Sequence, residues 1–102
     1  MAYITMNHFK IKPEYADEYV KVWENARVRH QDVDGFLDFK FLREDTKSDE
    51  YVLFSSYALW ESKEKFLAWT KSEHFRNSHK TGHANRDMYL EHPRLECYEV
   101  LI

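Results

Sequence analysis

Glycine and proline are scarce, two of each in 102 residues. That leaves few sharp turns and no flexible linker, so no boundary divides the chain and residues 1–102 read as one domain. A single cysteine, Cys97, excludes an internal disulfide and points to a reducing compartment. No apolar run approaches membrane-spanning length, which removes a membrane partner from the expectation. The first ten residues, MAYITMNHFK, show neither the charged start nor the small-residue cleavage site of a secretory leader. A cytoplasmic protein is therefore expected. Neither sign of charge dominates: 18 acidic and 15 basic residues are mixed along the chain, with a formal net charge of −3. Without a basic stripe, nucleic acid is not an expected partner.

What the chain has in quantity is rings. Aromatic residues make up 17% and hydrophobic residues 43%, too many to leave in water and enough to build a core. Residues 2–11 alternate as a strand, with Ile4 and Met6 on one face and Tyr3, Thr5, Asn7, Phe9 and Ile11 on the other. Pro13 suits the first turn of a helix. Tyr15, Tyr19, Val22, Trp23 and Ala26 then form one apolar stripe, so a helix is predicted to about Arg29. Phe36–Arg43 reads as a second strand with Leu37, Phe39 and Phe41 on one face, and Tyr51–Leu59 as a third.

Ser62 is a plausible N-cap for a second helix, its hydroxyl accepting from an unpaired N–H of the first turn. Phe66, Leu67, Trp69 and Phe75 form that helix's apolar side, and Gly82 is suited to end it. Residues 83–93 look irregular, and Arg94–Ile102 reads as the last strand. The order β-α-β-β-α-β is that of a ferredoxin-like α+β fold with an antiparallel sheet. Two helices on one face leave the other bare, and a bare apolar face predicts a homodimer closed sheet against sheet.

Several chemistries are poorly supported. The six histidines have no zinc-site spacing, and His79 and His83 are not joined by an HExxH motif or a Cys pair. Cys97 has no evident activating partner, no serine sits in a nucleophile elbow, and no glycine-rich loop could cradle phosphates. Asn7 is different. Asparagine is depleted in strands, and a buried amide lacking partners costs about 1–3 kcal/mol, so this one is expected to meet something polar, a ligand or partner on the uncovered side of the sheet.

Three segments carry a family resemblance: MNHF at residues 6–9, VDGFLDFKFL at 33–42, and WESKEKFLAWTKSEHFRNSH from Trp60 to His79. In these and in element order, the chain resembles the IsdG-like haem-degrading monooxygenases of the antibiotic-biosynthesis-monooxygenase, or dimeric α+β barrel, superfamily. The resemblance implies that His79 is the axial ligand of haem iron, that Trp69 presses on the porphyrin, and that Asn7 hydrogen-bonds near the distal ligand. It also implies haem as both cofactor and substrate. O2 and an external reductase or small-molecule reductant would open the ring, releasing iron and a linear tetrapyrrole.

Each residue also has a plainer reading. A histidine near a helix C-terminus is commonly a solvated residue favoured by the dipole, and a tryptophan at helical spacing is commonly core. On one ideal helix, Trp69 and His79 fall roughly 80° apart, so they flank a ligand rather than stack in line. His74 and His83 rank behind His79 because neither matches the family position. Arg86, Met88 and Tyr89 are pocket-cover candidates with no physical argument to place them. Two other functions remain open: a cofactor-independent monooxygenase acting on an aromatic substrate, and a non-catalytic haem-binding module.

Overall fold

A computed structural model of the chain describes residues 1–26, 32–45, 48–72 and 86–102. The elements in chain order are β1 (Tyr3–Ile11), a 3-10 turn (Pro13–Tyr15), α1 (Ala16–Ala26), β2 (Phe36–Arg43), β3 (Val52–Trp60), α2 (Lys63–Thr70), a second 3-10 turn (Arg86–Met88) and β4 (Arg94–Glu99). The strands form one antiparallel sheet in the order β2-β3-β1-β4. This is the expected ferredoxin-like α+β architecture. No helix among the described residues is long and apolar enough to cross a membrane.

β1 lies in the interior of the sheet and pairs with β3 from Tyr3↔Trp60 to Ile11↔Val52. Its odd-numbered residues face both helices. Phe9, Ile11, Tyr19, Phe54 and Met88 are buried together beneath α1. Tyr19 is fully buried at the centre, its ring 5.2 Å from Phe54, 5.9 Å from Phe9 and 5.6 Å from Tyr89. Its hydroxyl lies 3.2 Å from that of Tyr89. Loss of solvent around the phenol, reinforced by that hydrogen bond, raises the Tyr19 pKa far above the usual tyrosine range.

Four details depart from the sequence reading. A register shift between Phe36 and Asp38 turns Leu37 outward, where it is 49% exposed, and puts Phe36 flat on Trp60 at 4.7 Å. A bulge adds one residue and so reverses the alternation on its far side. Trp60 closes β3, one residue beyond the expected end at Leu59, and Leu67 of α2 is exposed. Met88, within the segment expected to be irregular, is a core residue.

The largest departure is the length of α2. Ser62 caps it as expected, accepting from the Lys65 N–H at 3.2 Å. The helix nevertheless ends at Thr70, not near Gly82. Thr70 Oγ1 donates to the Leu67 carbonyl and Ser72 Oγ to the Trp69 carbonyl, both at 2.6 Å. Local bonds of this kind compete with helix propagation. The roughly 80° separation derived for Trp69 and His79 assumed one continuous helix, whereas α2 ends at Thr70 and His79 lies outside the described residues.

Gly35 makes the turn into β2 with φ of +80°, and a Cβ placed there would come within 2.5 Å of the Lys65 side chain. Gly35→Ala should therefore destabilise the fold by roughly 1–3 kcal/mol, read as a lower urea midpoint with unchanged slope. A second expectation concerns alkali. The folded Tyr19 keeps its proton where an unfolded tyrosine loses it, so the stabilisation is complete below about pH 10 and declines above it. Urea midpoints between about pH 9 and 11 should fall, and less steeply in Tyr19→Phe.

Candidate functional site

The ring contacts on the helix side of the sheet concentrate at two places. Under α1, Trp23 stacks on Phe41 at 4.7 Å, beside Phe9, Tyr19 and Phe54. Under α2, Trp60 meets Phe66 at 5.5 Å and Trp69 at 5.4 Å, while Tyr3 meets Phe66 at 6.0 Å. On this same face of β1, between Tyr3 and Phe9, come two polar residues, Thr5 and Asn7. Their partners on β3 are small: Ala58 opposite Thr5 and Ser56 opposite Asn7.

Thr5 has a structural role, for its buried hydroxyl accepts the Trp60 indole N–H at 3.1 Å. Asn7 does not. It is half-buried, and no side-chain hydrogen bond to its amide is found among the described residues. Its side of the sheet also corrects the sequence reading. Asn7 shares the helix-covered face with Tyr3, Phe9 and Ile11, not the bare one. The physical reason is the period of two: the residues packing on α1 and α2 are odd-numbered, and Asn7 goes with them.

Trp69 sits on the same side of the sheet as Asn7, partly buried against Trp60 and Phe66. Trp60 pairs with Tyr3, four residues from Asn7 and thus about 13 Å along the strand. His79, the third predicted site residue, lies outside the described residues, as do His74 and His83. Tyr89 has a firm place, but under α1, where its hydroxyl meets Tyr19. Arg86 is exposed on the 3-10 turn.

Two polar features escaped the sequence reading. Ser56 is buried on the site face opposite Asn7, within a strand that reads as nearly continuous apolar sequence. On the opposite face, His8 Nδ1 is 2.7 Å from Ser55 Oγ, and its Nε2 lies 2.7 Å from Glu96 Oε1 without hydrogen-bond alignment. The Ser55-Ser56 dipeptide interrupting VLFSSYALW was the visible signal for both. A concavity of about 510 Å³ near Arg43, Asp45, Asp49 and Tyr51 includes none of these residues.

Comparison with known proteins adds to this geometry. A family model described as antibiotic biosynthesis monooxygenase matches residues 2–81. A Natronomonas pharaonis protein named for heme binding is 25% identical over 87 residues, which are 84% of this chain and 13% of that much longer protein. An arginine-to-serine mutant of MhuD, crystallised with two manganese protoporphyrin IX molecules per active site, superposes with a TM-score of 0.75 at 24% identity, covering 98% of this chain and 95% of that one. SnoaB, a cofactor-independent oxygenase from Streptomyces nogalater, superposes with a TM-score of 0.71 at 17% identity, covering 99% and 94%. At these identities the structural likenesses establish a shared fold.

Proposed function

Because its residues 2–81 match the family model, this chain belongs to the antibiotic biosynthesis monooxygenase family, and we propose that it is a haem-degrading member. The observation that carries the proposal is Asn7, a half-buried amide with no side-chain partner among the described residues, on an aromatic-walled face that also holds Trp69. A flat apolar macrocycle suits the rings, and a polar ligand on its metal suits the amide. The span of about 13 Å between Asn7 and the strand position beneath Trp69 is on the scale of a porphyrin. A heme-binding name on one relative and a porphyrin in one structural neighbour point the same way.

In this reading haem is the substrate, and its iron supplies the centre at which O2 is reduced with electrons from an external donor. Each residue has a separate part. His79 would hold the iron through an imidazole nitrogen. The Asn7 side-chain N–H donates to electron-rich oxygen at the site, where fixed donors stabilise developing charge. Trp69, braced by Trp60 and Phe66, would press on the bound macrocycle and keep water from it. Iron and a linear tetrapyrrole are then released.

We further propose that the chain works as a homodimer. Ile4, Met6, Leu53, Tyr57, Leu59 and Tyr98 lie on the sheet face that neither helix packs against, and Tyr98 is 44% exposed. An apolar face of this kind on a small domain is stabilised by a second copy. Sedimentation equilibrium should give twice the chain mass of 12.5 kDa, and Tyr57→Lys should shift it toward one chain.

Hemin should bind at about one per chain with a sharpened Soret band, and ascorbate in air should bleach that band and liberate ferrous iron. His79→Ala should abolish the ligation spectrum. Asn7→Ala should retain hemin and slow bleaching by roughly 100- to 1,000-fold, the range lost with a single charge-stabilising donor, and Trp69→Phe should retain hemin and also slow it. Binding without bleaching would mark a haem-binding module. Absence of binding would leave the cofactor-independent oxygenase reading, with SnoaB as its structural precedent.

A further inference from the structure

Three buried residues of the central strands carry aliphatic hydroxyls: Thr5, Ser55 and Ser56, with relative exposures of 6%, 8% and 7%. Two have hydrogen-bonding partners. Thr5 accepts from Trp60 Nε1 at 3.1 Å, and Ser55 Oγ is 2.7 Å from His8 Nδ1. No side-chain hydrogen bond to Ser56 is found among the described residues. The Ser56 hydroxyl is not among the fully enclosed side-chain atoms that lack a partner, so it keeps some access from outside the sheet, yet alanine or valine would fit an interior strand better. Packing alone therefore does not explain a serine at position 56.

Its location does. Ser56 is directly opposite Asn7 in the β1–β3 ladder, so both side chains rise from the same face. Directly opposed residues have Cβ atoms about 5 Å apart, close enough for a single small atom to lie between an amide and a hydroxyl. Both groups can donate. Phe41 pairs with Ser56 on its other side, and Phe9 and Phe54 form the next rung, so apolar rings border the pair.

We propose that Ser56 is a second ligand-contacting residue of the site, completing with Asn7 a two-donor cradle for a small anionic or oxygen ligand on the iron of bound haem. This rests on the haem reading of the site. Ser56 donates its hydroxyl proton as a hydrogen bond to the ligand, as Asn7 donates its amide N–H. Two converging donors restrict where the ligand points more tightly than one, which makes Ser56 a determinant of the position attacked on the ring.

Azide binding to the hemin-loaded ferric protein, followed by the Soret shift, tests the cradle without turnover. Ser56→Ala should weaken azide by about tenfold while hemin affinity stays within about twofold of wild type, and Ser56→Thr should restore most of the loss. The loss should persist in an Asn7→Ala background. In the hemin-free protein, Ser56→Ala should leave the urea midpoint unchanged or raise it, because no side-chain hydrogen bond among the described residues is lost. Azide affinity equal to wild type in Ser56→Ala, or a loss that vanishes when Asn7 is also absent, would overturn the assignment while leaving the haem reading intact. A lower urea midpoint for hemin-free Ser56→Ala would overturn it too, by showing a structural bond. Failure of the wild-type protein to bind hemin would sink the haem reading and the cradle together.

Discussion

The register of β1 on β3 is the constraint on which the rest of the molecule depends. Nine residue pairs run unbroken from Tyr3↔Trp60 to Ile11↔Val52. That alignment brings Thr5 within reach of the Trp60 indole, puts Phe9 beside Phe54 under α1, and sets Asn7 across from Ser56. A slip of one residue would carry every one of these side chains to the other face. The rings at either end oppose such a slip, because Trp60 and Ile11 are almost completely buried only in this alignment. The polar centre of the site thus takes its position from the apolar ends of the same two strands.

The architecture was largely legible because it depends on periodicity. The alternation of Tyr3, Thr5, Asn7, Phe9 and Ile11, the stripe through Tyr19 and Trp23, and the Ser62 cap are local signals, and the structure contains each of them. Features set by contact or by irregularity were not legible. Leu37 was grouped with Phe39 and Phe41, and only the shift between Phe36 and Asp38 reveals that it faces out. Met88 followed no pattern, since a single 3-10 turn has no period to read. The early end of α2 arises from the side chains of Thr70 and Ser72, whose bonds to nearby carbonyls have no counterpart in the spacing of apolar residues.

Within the site, residue types were legible but not their surroundings. Asn7 stood out because an amide is unusual in a strand, yet alternation cannot say which side the helices cover. Only their packing against Tyr3 and Phe9 assigns it to the covered side. Trp69 takes the position its plainer reading expects, packed on Trp60 and Phe66 as a structural tryptophan is. Ser56 was hidden by its neighbours, since a hydroxyl among Phe54, Ser55 and Tyr57 looks incidental until its partner across the ladder is known.

The two serines at the middle of β3 have a wider consequence. Ser55 and Ser56 are consecutive, as are His8 and Asn7 opposite them, so each strand sends one polar group to each side of the sheet at the same level. The sheet is only one backbone thick there. The His8–Ser55–Glu96 cluster is a polar island on the bare face, back to back with the Asn7–Ser56 pair. Side chains that touch only one side still share peptide planes with those on the other, so the two faces are mechanically bound through a single covalent layer. Substitutions that shift the backbone here should rarely affect one side alone, and drift at these four positions is best understood as one correlated change.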